Sequence, residues 1–465
     1  MRKIIALSVV ILAGAVASIA GGYGGHEEPA SGQAAAADAG DFSPAQWSMI
    51  ETLSPLPAPP VDTTNKYADS RTAAALGHRL FFDKRIAGPI QEGTRAQGQL
   101  GPIGATEKIA CSDCHQPASK WLFDIRSNSG GPIPNATALG SEWMTRNVSS
   151  LVNTVFYVQA PGGRDAPHWR ENDGFSDSEW FDAQSEPEGS SVQNGSRLQI
   201  AHLIFDHYKA DYEAAFPEWP LDPGLANKTR FPPTGLPGQP SFDNMAPGDK
   251  EIVNRILANY GKAMEAYLRT LVSRGAPFDR FVAGHEHAIN EKAKRGLKLF
   301  IGKAGCVECH SGPLFSDDDF HTIGLHIDTV RSPHADPSET GRSANQAFIC
   351  GSTFNVNGPY SDDRSTERLT GFCNATIPDG EWRTKGLRQV AETGPYMRDG
   401  QMATLAEVIE FYNRGGDANG TFIGGPKEIH PLHLTHQEKK DLKKFLKTLT
   451  GAPLSPALIA DTHRP

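Results

Sequence analysis

The sequence predicts a mainly α-helical protein made of two similar modules joined by long irregular loops. Three observations lead there. Strand-length runs of alternating apolar and polar residues are weak throughout the 465 residues, whereas two stretches repeat apolar residues at helical spacing. One short pattern occurs twice: Leu76-Gly77-His78-Arg79-Leu80-Phe81-Phe82 ahead of Cys111-Ser112-Asp113-Cys114-His115, and Arg295-Gly296-Leu297-Lys298-Leu299-Phe300 ahead of Cys306-Val307-Glu308-Cys309-His310. Each half so marked closes with one of the amphipathic runs, Ile252 to Leu271 and Gln437 to Leu449.

In chain order, the first element is Met1-Arg2-Lys3 followed by an apolar or small run from Ile4 to Ala20, ending in Ser18-Ile19-Ala20. This reads as a signal peptide over residues 1–20, cleaved before Gly21. The rival reading is a membrane anchor, but Ser8, Gly14 and Ser18 dilute the run. Residues 21–60, Gly/Ala-rich and then proline-rich, read as a flexible tether. The modules follow, 61–280 and 281–455, meeting near residue 280. Between Phe216 and Pro247 lie eight prolines with almost no periodicity, a long irregular loop with either a functional or a plain wrapping role.

Composition bounds the rest. Gly 47 and Pro 34 together stay below the roughly 25% of low-complexity chains, so long ordered loops are expected rather than disorder or collagen. A net charge of −9 and a pI near 6.0 give no electrostatic footprint for nucleic acid. The six cysteines divide as four plus two. Cys111/Cys114 with His115, and Cys306/Cys309 with His310, have the spacing of covalent c-type haem attachment. On a helical turn Cys at i and i+3 and His at i+4 share one face, so two thiols add to the haem vinyl groups while the imidazole reaches the iron. Zinc would need a second paired ligand set near each motif, and none is present. In an exported chain Cys350 and Cys373 suggest a disulfide, with free thiols as the alternative. Between His115 and Asn147 there is no His and only Met144 as a soft ligand, so the first iron is expected to be open on its far side.

Three stretches carry a family resemblance: Gly305 to Phe315 around the second motif, Arg146 to Asn153, and Thr393 to Gly400 continuing to Thr404-Leu405. Over roughly residues 70–455 the chain resembles the bacterial dihaem cytochrome c peroxidase family, including its MauG-like branch. The resemblance implies two cytochrome c-like domains, each with one covalent haem. The first haem would be the peroxide site and the second would store or relay oxidising equivalents. It implies a distal ligand for the second haem at Tyr412, where typical peroxidases have Met; a phenolate oxygen favours ferric and higher iron, so this haem would share high-valent iron. Met397 and Met402 are rival ligands, and the structural alternative is a core tyrosine. A calcium ion between the haems is implied at Asn147, Thr393 and Pro395, whose oxygens suit a hard cation.

The family pattern is broken in three places. Gln193 stands where the family has a Glu, and a neutral amide cannot act as a base at ordinary pH; Asp182, Glu186 and Glu188 are the nearby carboxylates. Asn172-Asp173-Gly174-Phe175 aligns with the family's Trp-Asp-Gly-Arg, removing the aromatic between the haems, with Trp169 and Trp180 as substitutes. Arg398 replaces a His. The expected function is a periplasmic peroxidase that reduces hydrogen peroxide with electrons from a small cytochrome c or cupredoxin. The other readings are a MauG-like oxidase of a protein substrate and a non-enzymatic dihaem carrier or sensor.

Overall fold

The computed structural model describes residues 42–92, 100–123, 137, 139–157 and 175–464. The expected signal peptide, residues 21–41, Trp169 and Asn172-Asp173-Gly174 lie outside the described residues. Among the described residues the helices run α1 Pro44–Glu51, α2 Arg71–Phe81, α3 Cys111–Cys114, α4 Glu179–Ser185, α5 Arg197–His207, α6 Lys209–Ala215, α7 Pro240–Asp243, α8 Pro247–Leu268, α9 Pro277–Val282, α10 Glu291–Phe300, α11 Arg342–Gly351, α12 Leu405–Asn413 and α13 His436–Leu446. Strand is confined, among those residues, to one antiparallel ladder of β1 Phe320–His321 on β2 Trp382–Arg383, with Phe320 opposite Arg383. The chain is mostly helical, as expected. No described helix is long and apolar enough to cross a membrane.

The internal repeat is visible in how helices cross. α2 starts at an N-cap, Ser70, whose hydroxyl accepts from the Ala73 N–H; α10 starts at Asn290, whose side chain accepts from Ala293. α2 packs on α8 and α10 on α13. At each crossing a glycine lets the backbones touch: a Cβ on Gly77 would stand 2.0 Å from the Ala263 carbonyl oxygen, and one on Gly296 would stand 2.1 Å from that of Asp441. Around the first crossing His78 stacks on Tyr267 at 4.6 Å and Phe81 packs beside it. Around the second, Phe278, Phe300, Phe315 and Phe445 form tilted and edge-on pairs with centroids 5.1 to 5.8 Å apart.

Among the described residues these crossings lie in the two largest apolar cores, and neither is built from one contiguous half of the chain. The first gathers Leu76, Leu80, Trp180, Ile200, Leu257 and Tyr267 with Ile349, Phe354, Val356, Leu369 and Phe372 from far downstream. These downstream residues form a strap that follows α11, closed by a Cys350–Cys373 disulfide with a Cα–Cα distance of 5.7 Å. Polar contacts fasten it: Lys262, almost fully buried, pairs with Asp362 at 2.6 Å, and Arg368 pairs with buried Asp62 at 3.1 Å. The second core includes Phe42, Ile50 and Leu53 from the start of the described chain. The expectation of a flexible tether to residue 60 is therefore corrected for its described part. A capping box of Ser43 and Gln46 with Pro44 at the first helical position starts α1, and its apolar residues bury against the second module. The proline-rich stretch 216–247 wraps the surface, burying Leu221, Leu225, Phe231, Phe242 and Met245 in the first core.

Candidate functional site

The first Cys-x-x-Cys-His motif forms α3, with His115 as its C-cap. The His115 Nδ1–H donates to the Leu122 carbonyl at 3.1 Å, which fixes the tautomer whose lone pair sits on Nε2. The second motif forms a 3-10 turn over Cys306–Glu308, and the His310 Nδ1–H donates to the Phe315 carbonyl at 2.9 Å. Both imidazoles are thus held from behind by a carbonyl a few residues downstream. None of the four motif cysteines takes part in the Cys350–Cys373 disulfide.

A cavity of about 440 Å³ opens beside the first turn, lined by Cys111, Cys114 and His115, and by Gln193, Asp182 and Glu186. Two thiols, an imidazole of settled tautomer and a cavity bordered by all three fit a covalently attached haem. Asp182 lies in α4 and Glu186 in the 3-10 turn that continues it, so their spacing of four puts both on one face toward the cavity. Asp182 is buried and its Oδ1 accepts from the Ser176 hydroxyl at 3.3 Å. The Glu186 charge is felt at Cys111. Gln193 is fully buried; its Nε2 donates to the Ile109 carbonyl at 3.0 Å and its Oε1 has no partner among the described residues. Glu188 is elsewhere engaged: it grips Arg197 at 2.6 Å and caps its N–H.

The second turn meets α12. A capping box of Thr404 and Glu407 starts this helix, and Leu405, Ile409 and Phe411 bury one face. Tyr412, on the next position, sits in an apolar cluster with Leu325, Phe411, Met397 and Met402, so both rival ligands share its neighbourhood. Its hydroxyl has no hydrogen-bond partner among the described residues. Burial first, then the nearby Cys306 and Cys309, hold it well above the ordinary tyrosine range.

Between the two turns the chain crosses from 146–150 to 393–400. Asn147 Nδ2 donates to the Pro395 carbonyl at 2.9 Å and its N–H to the Arg398 carbonyl at 2.9 Å; Thr393, two residues before Pro395, is half-buried. Arg398, in the place of the family's His, lies 4.0 Å from the Trp382 ring centre, and Arg146 lies 5.4 Å from the same ring. Glu339 pairs with Arg146 at 3.0 Å and approaches Arg398 at 3.9 Å. Nothing in the sequence pattern pointed to this Trp382–Glu339 knot. Trp180 is corrected as a substitute for the missing inter-haem aromatic: it is fully buried in the first core, its indole N–H donating to Thr64 Oγ1 at 3.1 Å, and it does not line the cavity.

A mostly helical chain with two haem-attachment turns, each imidazole carbonyl-anchored, is a c-type cytochrome. The comparisons narrow the class. A family model described as "Di-haem cytochrome c peroxidase" matches residues 71–287. A cytochrome-c peroxidase of Denitromonas iodatirespirans is 31% identical over 428 residues, covering 90% of this chain and 89% of that protein. The methylamine utilization protein MauG of Methylophilus methylotrophus is 33% identical over 391 residues, covering 82% and 83%. The chain belongs to the di-haem cytochrome c peroxidase family, whose members are oxidoreductases. In fold it is similar to the diheme peroxidase BthA from Burkholderia thailandensis, with a TM-score of 0.57 at 20% identity over 85% of this chain and 91% of that one.

Proposed function

We propose that this chain is an exported, periplasmic peroxidase that reduces hydrogen peroxide beside the Cys111–Cys114–His115 turn, with electrons relayed through a second haem held by His310 and Tyr412. Two haem domains, 61–280 and 281–455, are the proposed organisation, with the strap belonging to the second by sequence and packing on the first. The observation that carries the reading is the contrast between the two turns: the first borders a cavity with carboxylates and an amide, and the second has nearby Tyr412, whose hydroxyl has no hydrogen-bond partner among the described residues. The haems supply the redox chemistry; the reaction consumes two electrons and two protons per peroxide and yields two waters. Gln193, anchored through Nε2, offers Oε1 as an acceptor that orients the peroxide hydrogen without taking the proton. Glu186, less buried than Asp182 and closer in effect to the attachment turn, moves the proton between the two oxygens. A small cytochrome c or cupredoxin is the electron donor. Calcium is the proposed ion at Asn147, Thr393 and Pro395, where the Asn147 amide would turn Oδ1 toward the cation in place of its present bond to Pro395.

The ferric optical and EPR spectra test the ligands: one high-spin haem and one low-spin haem are expected, and Tyr412→Met should abolish the His/Tyr low-spin signature while leaving the high-spin one. An unchanged Soret band after peroxide is mixed with the ferric protein would overturn the peroxidase reading. A second reading, a MauG-like oxidase acting on a protein, is favoured by Tyr412 and by the MauG relative. An added mass or crosslink on a co-purified partner after peroxide would select it over the first.

A further inference from the structure

His321, the last residue of β1, stands beside the second attachment turn and takes no part in the attachment chemistry. Its Nε2 lies 2.9 Å from Asp317 Oδ2 and its Nδ1 lies 2.7 Å from Glu428 Oε2. A carboxylate only accepts, so an imidazole with each nitrogen on a carboxylate donates from both and is held as the cation. Both carboxylates are themselves fixed by the backbone. The Asp317 N–H donates to the Cys309 carbonyl at 2.8 Å, and Asp317 Oδ1 accepts from the Asp319 N–H at 3.0 Å. Glu428, in the segment that follows α12 and its Tyr412, accepts from the Thr322 N–H at 2.9 Å through Oε1. The His321 side chain keeps 18% of its surface, so its charge is largely shielded from water.

What the cation faces is a sulfur. Cys309 Sγ, a carboxylate oxygen of Asp317 and a ring nitrogen of His321 all lie within 4.8 Å of one another. Among the described residues no other motif cysteine has an acid and an imidazole drawn together beside it in this way. The two-haem reading joins Cys309 Sγ to the second macrocycle, so the cation sits next to the point of attachment without holding the group. A positive charge near a haem favours the ferrous state, which carries one charge fewer, and does so more strongly where water is scarce. Tyr412, the proposed distal ligand, pulls the other way, because a phenolate oxygen favours ferric iron. A fixed imidazolium at the attachment sulfur offsets part of that pull and keeps the second haem reducible by a small redox protein.

We propose that His321 is a fixed imidazolium, held by Asp317 and Glu428 against the Cys309 sulfur, that raises the reduction potential of the His310 haem. The inference rests on the two-haem reading, so the first measurement is the haem count of the full-length holoprotein by pyridine haemochrome. Fewer than two haems per wild-type chain sinks that reading, and the proposal with it. With two attached, potentiometric titration of the His321→Gln variant should show the low-spin haem shifted to lower potential, because both carboxylates remain without their cation, and the high-spin haem unmoved. His321→Lys keeps the charge and loses the ring, and should recover most of the shift. A low-spin potential at or above the wild-type value in His321→Gln overturns the proposal. An equal fall in both variants would trace the effect to packing rather than charge, and an equal shift of both haems would trace it to a place other than the Cys309 sulfur; either overturns it. Should His321→Gln fail to load the second haem because it strands two carboxylates, Asp317→Asn is compared with the double variant Asp317→Asn/His321→Gln. The double variant should have the lower low-spin potential, and equal potentials overturn the proposal.

Discussion

Beneath the imidazole, the two attachment turns are built alike; on the other side they are built differently. Each follows a helix that crosses a partner through a glycine, Gly77 of α2 against α8 and Gly296 of α10 against α13, and each His gives its Nδ1–H to a backbone carbonyl. Around these supports the first turn borders a cavity with Asp182, Glu186 and Gln193, and the second has Tyr412, in an apolar cluster, close to its cysteines. The difference teaches where such a repeat specialises. Packing that positions a covalent group tolerates little change, because a carbonyl in contact with a glycine leaves no room. The facing side is supplied by separate elements, α4 with its 3-10 extension for the first turn and α12 for the second, which can change independently.

The largest expected effect breaks the likeness. Gly77→Ala and Gly296→Ala each drive a methyl into a backbone carbonyl and should cost about 3 kcal/mol, read as a lowered midpoint in thermal unfolding of the holoprotein. A drop for one variant with none for the other would mean that the crossings are not equivalent. The next sharpens the difference. Glu186→Gln should slow peroxide turnover about 100-fold, in the range for loss of a general acid–base group, while Asp182→Asn costs less; the reverse order would move the proton-transfer role to Asp182.

The smallest concerns the strap, which fastens to the first module alone. Burial pushes Asp177 up to about 7, with the Asp62 charge adding to this and the Val356 N–H and Arg368 opposing it. A carboxyl raised in the folded state binds more protons there than when unfolded. Its stabilising contribution is full below the unfolded pKa, declines as pH rises toward 7, and has gone above it. Asp177→Asn should therefore flatten the pH dependence of unfolding between about pH 4 and pH 7 and raise stability at pH 8. Parallel pH profiles for variant and wild type would remove Asp177 from this role.

What was legible in the sequence follows from what is local. Cys111, Cys114 and His115 must be neighbours in sequence to reach one macrocycle, so their spacing declares the chemistry, and the helical halves show in the periodicity of α8 and α13. Asp182 and Glu186 were found because they flank Gln193 within a few residues. α1 was hidden because proline-rich Ser54 to Pro60 dominates its surroundings, while its buried Ile50 and the flanking Phe42 and Leu53 join a core whose other members lie more than 200 positions away. Trp180 looked available for a relay only until Thr64, also distant, accounted for its indole N–H.

The strap closed by Cys350 and Cys373 sets an order on synthesis. The last helix of the first module ends at Leu268, yet that module's core takes in Ile349, Phe354, Val356 and Phe372. A ribosome emitting the chain from its N-terminus releases the first module's helices roughly a hundred residues before the segment that covers them, and until then the apolar surface around Leu76 and Trp180 is bare. Fragments cut at the apparent module boundary would inherit that bare surface permanently, so the first half is expected to aggregate when expressed alone, and a division of this protein into working parts would have to carry the strap along with it.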